Sequence, residues 1–345
     1  MKLKEAFKEA PQRPYIIAEV SQNHDGSLGQ AHAFIDAVAD AGADAIKFQT
    51  HIADEESTRY EPFRVKFSFE DETRYDYWKR MEFTEPQWEG LFHHAEDRGL
   101  EFLSSPFSPK ALEMLDRIGI PGWKFGAGEV FNRDLLKLAA DTGKPMLLST
   151  GLSTFFDISE TLKMIQPYGN EVLLFHCVTA YPSTADMIDI RLVSEMIRRF
   201  PCKVGISDHS ATIYPSLAAM ALGASAVEVH VTLSPYMFGP DVKASVDLRQ
   251  LKEIVEGAVF ITKMLNTETD MECRDARREE LKQMFSKSLF AADDLTAGTI
   301  LTERMFKAKK PCIGIPSDQV SNVVGKCLKR DIGKDEPIHN EDLIE

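Results

Sequence analysis

Apolar residues in this chain recur with two alternating periods. Residues 15–20 (YIIAEV) form a short β-rich run, after which Ala31, Phe34, Ile35, Val38 and Ala39 follow helical spacing. Residues 44–49 (DAIKFQ) predict a second strand. The stretch 50–83 is charged and aromatic and predicts a functional loop. Residues 85–98 predict a helix that stops at Gly99. The alternation continues through strand 101–104, helix 108–118, strand 122–125, helix 133–142, strand 145–149 and helix 154–166. Strand 171–176, helix 189–199, strand 203–206, helix 214–222 and strand 226–231 follow. A last amphipathic helix is predicted over 247–264, with Leu251, Ile254, Val255 and Ala258 on one face.

Strict alternation predicts parallel strands joined by right-handed crossovers. Eight strand–helix units in about 250 residues predict a closed α/β fold, the (β/α)8 TIM barrel, with an open doubly wound sheet as the alternative. No GxGxxG follows the first strand, which argues against a dinucleotide-binding sheet. Residues 265–288 are charged, lack a wide apolar face and read as a linker or a solvated helix. Beyond them, short apolar runs are broken by AGT, the segment 311–316, VGK and GKDEP. The expected organisation is a barrel over 1–264, a linker over 265–288 and a small loop-rich domain over 289–345. A domain that small has a limited core and needs contact with a barrel, its own or a partner's.

Composition narrows the function classes. Hydrophobic residues at 43% and charged residues at 27% exclude a disordered or collagen-like chain. Lys plus Arg is 40 and Asp plus Glu is 54, a net charge of −14, which disfavours nucleic acid and anionic lipid as partners. A locally basic site for an anionic small molecule stays open. The N-terminus MKLKEAFKEAPQRP lacks the apolar core of a signal peptide, and no apolar run is long enough to predict a membrane span. Cys177, Cys202, Cys273, Cys312 and Cys327 are odd in number and show no CxxC spacing. Free thiols in a reducing cytoplasm are expected.

Functional groups of a barrel gather at the C-terminal ends of its strands. Those ends carry Glu19 with Ser21, Asn23 and His24; Lys47 and Gln49; Ser104 and Ser105; and Lys124 and Glu129. Later ends carry Ser149 and Thr150; His176, Thr179 and Tyr181; Ser207, Asp208 and His209; and Glu228 and His230. His209 and His230 end consecutive strands, so the fold places them side by side. Two imidazoles without a third His or Cys suit a six-coordinate ion such as Mn2+ over tetrahedral zinc, with water or substrate oxygens completing the shell. The alternative is that each histidine only hydrogen-bonds its neighbours. His32, His51, His93, His94 and His339 fall on helices or loops, where surface roles are expected. Lys47 and Lys124 lie inside apolar strands and need an anionic partner. With Ser105, Ser149 and Ser207 they make a phosphate or carboxylate cradle. Alternatively they pair with Glu19, Glu129 or Glu228 as structural ion pairs. The same glutamates are candidate proton-transfer groups.

Eight segments carry a family resemblance: IIAEVSQNHDG, GADAIKFQT, FLSSPFS, GKPMLLSTG, LLFHCVTAYP, VGISDHS, ALGASAVEVHVTL and GPDVKAS. In this order they resemble the sialic acid (N-acylneuraminate, or nonulosonic acid) synthases. The C-terminal segment resembles the antifreeze-like (SAF) domain of that family, so the likeness spans nearly the whole chain. It implies a transferase that condenses phosphoenolpyruvate with an N-acyl hexosamine such as N-acetylmannosamine and releases phosphate. It implies that His209 and His230 bind Mn2+, with Mg2+ or Co2+ as substitutes, polarising the open-chain aldehyde. It also implies that Lys47, Ser105, Lys124, Ser149, Thr179 and Ser207 line the phosphoenolpyruvate site. Glu19, Gln49, Glu129, Tyr181 and Asp241 would surround the sugar and the reacting carbons. A domain-swapped homodimer would bring a basic residue, here Lys310, over the sugar.

The chain departs from the family pattern at four places. Ala127 stands where a serine is usual, Thr179 where an asparagine is common, and Val229 where a basic residue is usual. Lys310-Pro311-Cys312 replaces Arg-Pro-Gly, and lysine lacks the bidentate fork of arginine. Within the resemblance, a legionaminic- or pseudaminic-acid-type sugar or a 6-phosphorylated hexosamine is an alternative substrate. Outside it stand a metal-dependent hydrolase, which would prefer an HxH pair on the first strand, and a catalytically inactive barrel acting as a binding protein. Loss of a metal histidine or a buried lysine would mark the last, and all four residues are present.

Overall fold

The computed structural model describes residues 1–9, 12–272 and 275–344. Cys273, counted among the five cysteines, lies outside the described residues. The chain divides into two compact units, Met1–Thr267 and Glu268–Glu345.

The first unit is a closed barrel of parallel strands: β1 Tyr15–Ser21, β2 Ala45–Thr50, β3 Glu101–Pro106, β4 Trp123–Phe125, β5 Met146–Ser149, β6 Val172–Cys177, β7 Lys203–Asp208 and β8 Ala226–Thr232. Each strand pairs with the next in sequence, and β8 pairs back onto β1. That closure excludes the open sheet. A short strand, Val246–Asp247, extends the edge of β8.

Strand alternation explains where the chemistry sits. On β1, Ile16, Ala18 and Val20 join the large core between strands and helices, while Tyr15 and Ile17 join a second cluster that fills the barrel floor. Glu19 is the next residue on that inner face. The same period puts Ala45 in the floor and Lys47 above it on β2, and Leu147 in the floor and Ser149 above it on β5. Leu3 and Ala6, from the helix Leu3–Ala6, pack into the floor cluster. Gly205 on β7 is required by close approach, since a Cβ there would stand 2.5 Å from the Ala226 carbonyl oxygen and 3.0 Å from the Phe175 ring. The interior is therefore apolar at the N-terminal end and polar at the C-terminal end.

One departure from the predicted elements bears on function. The stretch 50–83, read as a loop, contains the helices Ala53–Glu56 and Arg74–Met81. The second starts at a capping box in which Thr73 and Asp76 satisfy each other's backbone N–H. It buries Tyr77, Trp78 and Met81, against which Phe63 and Phe67 pack.

In the second unit the helix Ala276–Phe285 buries no side chain among the described residues. Strand Ser288–Ala291 pairs antiparallel with Phe306–Lys309, and Cys327–Leu328 with Leu343–Ile344. Leu289, Leu301, Ile315, Val323, Leu328, Ile332 and Ile338 form its core. Cys177, Cys202, Cys312 and Cys327 are free thiols. Among the described residues no helix is long and apolar enough to cross a membrane.

Candidate active site

The polar end of the barrel is built in two layers. In the lower one, the β1–β2 register sets Glu19 opposite Lys47, and their charged groups meet at 2.6 Å. Lys47 also donates to Ser105 Oγ at 3.2 Å. Across the barrel, Lys124 donates to Ser149 Oγ at 2.6 Å and lies 3.3 Å from Glu228, which accepts from Ser207 at 3.0 Å. Both lysines and both glutamates are at most 3% exposed. Two ammonium groups and two carboxylates balance in a dry interior, which is what their burial requires.

Burial and pairing set the proton affinities here. Burial pushes the Glu228 carboxyl up, but Lys124 and Lys47 outweigh it and hold the group at about 2. Burial raises Glu19 above the ordinary carboxylate value, against the pull of Lys47. Burial also lowers Lys124, aided by the charge of Lys47. Glu19 is therefore the group of this layer most ready to take a proton.

The upper layer carries the histidines. Their ring centroids are 5.0 Å apart and nearly perpendicular, at 80°. His209 Nδ1 donates to the Val178 carbonyl at 2.8 Å, which leaves Nε2 as the acceptor nitrogen. His230 Nδ1 is buried without a hydrogen-bond partner. Burial, reinforced by the charge of His230, lowers His209 to about 3; burial also lowers His230. Two neutral imidazoles with open lone pairs fit a divalent first-row ion. Among the described residues, no group of three or more His, Cys, Asp or Glu is placed to hold an ion, so the protein's own ligand set would be these two rings.

Gln49 links the layers, donating to Glu19 at 2.9 Å and to Ser21 at 3.1 Å. Ser21 follows a break in the β1–β2 register, adopts a left-handed φ of 52°, and donates to Asp241 at 2.6 Å. Tyr181 lies over His209, ring centroids 4.1 Å apart. Thr179 lines the mouth above Gly151.

The remaining predicted site residues are placed elsewhere. Glu129 pairs with neither lysine; it lies in the short helix Glu129–Phe131, accepts from Asn132 at 3.2 Å, and is raised by burial and by the charge of Glu56. Lys310 belongs to the second unit, where its ammonium lies 5.3 Å from the Phe285 ring centroid. Several strand-end groups serve the framework. Asn23 donates to the Val231 carbonyl and to Ser245, Thr150 to the Phe175 carbonyl, and His24 packs against Phe83.

His51 corrects the expectation of a surface role. It is 4% exposed, stacked between Trp78 and Phe107 at 3.9 and 4.3 Å, and bonded to Glu56. Sequence reading also missed Arg64, whose guanidinium stacks on Tyr181 at 4.1 Å and meets Asp241 at 3.0 Å. Arg64 reaches in from the segment before Arg74–Met81, where no periodicity marks it. Its side chain helps to wall a cavity of about 300 Å³ at the barrel mouth, which also touches Gln22, Gln49, Tyr181, His230 and Asp241. A larger groove of about 1000 Å³ opens between the helices Phe155–Ile165 and Arg191–Arg199. None of the strand-end polar groups reaches it, and its Lys163 and Arg199 are paired with Glu160 and Glu195.

Comparison with known proteins assigns both units of the chain to families. The NeuB family matches residues 34–270, and the SAF domain matches residues 286–344. The chain is 32% identical over 331 residues to N,N'-diacetyllegionaminic acid synthase of Campylobacter jejuni, spanning 94% of this chain and 98% of that protein. It is 31% identical over 335 residues to human (Homo sapiens) N-acetylneuraminate-9-phosphate synthase, spanning 95% and 92%. To pseudaminic acid synthase of Helicobacter pylori it is 29% identical over 337 residues, spanning 96% and 98%. The crystal structure of N-acetylneuraminic acid synthetase from Leptospira borgpetersenii, in complex with citrate, superposes with a TM-score of 0.70 at 28% identity, covering 79% of this chain and 92% of that one. Relatives named for different sugars thus lie at similar distance.

Proposed function

The chain belongs to the NeuB family of phosphoenolpyruvate-dependent nonulosonic acid synthases and carries a C-terminal SAF domain, and on that footing we propose that it condenses phosphoenolpyruvate with an N-acyl hexosamine, such as N-acetylmannosamine, and releases phosphate. The observation that carries this reading is the lysine–glutamate layer lying beneath two neutral histidines at one barrel mouth.

Lys47 and Lys124, with Ser105, Ser149, Ser207 and Thr179, hold the phosphate and carboxylate of phosphoenolpyruvate by charge-assisted hydrogen bonds. Both lysines already face carboxylates, so an entering anion loads the layer with negative charge. Glu19, whose proton affinity burial raises, is the group of this layer that takes up a proton as the anion enters. Bound by His209 and His230, a divalent ion such as Mn2+ would act as a Lewis acid on the sugar's open-chain aldehyde. Gln49, Tyr181 and Asp241 orient the sugar so that its aldehyde carbon meets carbon 3 of phosphoenolpyruvate. The aldehyde oxygen becomes a hydroxyl and takes its proton from the Glu19 carboxyl. Water then adds at carbon 2 and returns one proton to Glu19; as the carbon 2–oxygen bond to phosphate breaks, the new hydroxyl gives its proton to the departing phosphate and becomes the ketone, while the lysines keep hold of the phosphate. Glu129, half-buried in the short helix that follows β4, is the second proton-transfer candidate.

The homodimer in which Lys310 reaches the partner's sugar belongs to the same reading and is supported by the family resemblance. A truncation ending at Asn266 should lose both dimerisation and activity. A monomeric, fully active truncation would contradict it.

The reading is tested by incubating the full-length protein with phosphoenolpyruvate, Mn2+ and a panel of N-acyl hexosamines. Phosphate release is expected with at least one sugar. His209→Ala and His230→Ala should abolish turnover and weaken Mn2+ binding measured by electron paramagnetic resonance. Absence of phosphate release with every sugar would sink the synthase reading in favour of an inactive barrel.

A further inference from the structure

His51 is enclosed behind the wall of the mouth cavity. Gln49, Trp78 and Phe107 line that cavity, and the His51 ring lies between the two aromatic rings at interplanar angles of 16° and 15°. The stack fixes the plane of the imidazole, and with it the directions in which its two nitrogens point. Nδ1 meets the Glu56 carboxyl group, and Nε2 meets Gln49 Oε1 at 3.3 Å. Both side chains are withdrawn from water, at 3% and 8% exposed. Among the described residues, His51 is the ion-pair partner of Glu56.

These contacts decide where the protons are. Gln49 Nε2 donates to Glu19 at 2.9 Å and to Ser21 at 3.1 Å, so the Gln49 oxygen faces away from the Glu19 carboxylate. That oxygen accepts from Gln22 Nε2 at 3.1 Å and has one lone pair left. His51 Nε2 faces it and must carry a hydrogen, because a bare nitrogen there would set two acceptors against each other. Nδ1 then shares a single proton with Glu56, either as imidazolium beside carboxylate or as imidazole accepting from a carboxylic acid. Both arrangements leave Nε2 as the donor. The remaining tautomer, with its hydrogen on Nδ1 alone, is opposed by the Gln49 oxygen. Flipping Gln49 would remove that conflict only by turning its oxygen onto the Glu19 carboxylate.

We infer that Glu56 and His51 form a lock on Gln49. Glu56 holds the imidazole in the form that donates from Nε2, and that N–H holds the Gln49 amide with its NH2 group on Glu19 and Ser21. All four hydrogen-bonding positions of the amide are thereby filled. Neither His51 nor Glu56 is among the residues lining the cavity, so both are positioning residues that act through Gln49. The effect on turnover rests on the synthase reading, and the lock adds two residues to it.

A spectrum and a set of rates test the lock separately. In nitrogen-15 spectra of the full-length protein at pH 7, the His51 signals should show a protonated Nε2. They are identified by their loss in His51→Phe or their shift in Glu56→Gln. An Nε2 without hydrogen overturns the lock whether or not any sugar reacts. The rates are taken with phosphoenolpyruvate, Mn2+ and the preferred N-acyl hexosamine. Glu56→Leu frees the imidazole to change tautomer and should lower kcat/KM for the sugar about tenfold, the size expected for one lost buried hydrogen bond. KM for phosphoenolpyruvate should stay within about twofold. Glu56→Gln removes the same charge but keeps a donor to Nδ1, and should recover kcat/KM to within about threefold of the wild type. The difference between the two variants therefore reports the hydrogen bond and not the charge felt by Glu129. In Gln49→Leu, adding Glu56→Leu should change kcat/KM by less than about twofold, because the lock has nothing left to hold. Equal losses in Glu56→Leu and Glu56→Gln, or losses that multiply in the double variant, overturn the inference and leave the synthase reading intact. Absence of phosphate release by the wild type with every sugar counts against the synthase reading, and the nitrogen spectrum then decides the lock alone.

Discussion

Glu19 stands level with His230 across the seam where β8 closes onto β1. On its other side it meets Lys47 at 2.6 Å. One carboxylate thus borders both a candidate metal ligand and a buried ammonium. Glu19→Gln keeps an acceptor for Gln49 but leaves Lys47 buried without its counter-charge. Loss of one partner of a buried pair destabilises by about 3–5 kcal/mol. Urea unfolding should show a loss of that order, and phosphate release should fall at least 100-fold. Adding Lys47→Met should restore stability without restoring turnover. Unchanged stability in Glu19→Gln would show that Lys47 draws on another anion.

Gly151 follows β5 and packs under Thr179. A Cβ there would stand 2.6 Å from Thr179 Oγ1, 2.7 Å from Cys177 Sγ and 3.1 Å from the Cys177 carbonyl oxygen. The Thr179 and Cys177 side chains must both move, and the Cys177 carbonyl must give by a few tenths of an ångström. Gly151→Ala is expected to destabilise the protein by about 1–3 kcal/mol, the range for overpacking. It should also raise KM for phosphoenolpyruvate severalfold, by displacing Thr179 and the neighbouring Ser149. A normal KM for phosphoenolpyruvate in a measurably destabilised Gly151→Ala would remove Thr179 from the anion site.

His24 gives stability a defined pH slope. Burial, with the positive charges of His51 and Arg80, lowers it to about 3. The unfolded value is near 6.5, so above that pH the ring is neutral in both states and its burial carries no proton penalty. As pH falls below 6.5, the unfolded chain binds a proton that the folded chain refuses until about pH 3. Stability contributed by the neutral ring is therefore lost on acidification, by on the order of 2 kcal/mol at pH 5. Urea unfolding at pH 7 and pH 5 should show a fall larger than this in the wild type, where His209 is lowered in the same way, and a fall smaller by about this amount in His24→Gln. Equal falls would place the titration elsewhere.

The barrel and its inward residues were legible because parallel strands impose a period of two over a short apolar run. Polar residues breaking such runs at the C-terminal ends, as Lys47 in DAIKFQ and Lys124 in GWKF, have no framework reason to be there. The pairing itself was not legible. Lysine partners depend on register across the barrel, and Glu228 was one of three glutamates available to them. The wall of the mouth escaped for a different cause. Arg64 and Tyr77 lie where charged and apolar residues mix without a long period. The one local signal there, Thr73 with Asp76 opening a helix, is only two residues long. His51 was misplaced because it directly follows β2, where sequence cannot say whether a side chain turns inward or out.

The stack of His51 between Trp78 and Phe107 joins the extra wall to the barrel at a point outside the lysine–glutamate layer. None of the hydrogen bonds of Lys47, Lys124 or Glu228 involves residues 57–78. Residues 57–78 therefore meet the strand ends through His51 and through Arg64 on Asp241 and Tyr181, and not through the lysine–glutamate layer. On the synthase reading, recutting residues 57–78 would reshape the mouth while the lysine–glutamate layer stays whole. An engineer seeking new nine-carbon acids would randomise that insert and leave the strand ends alone.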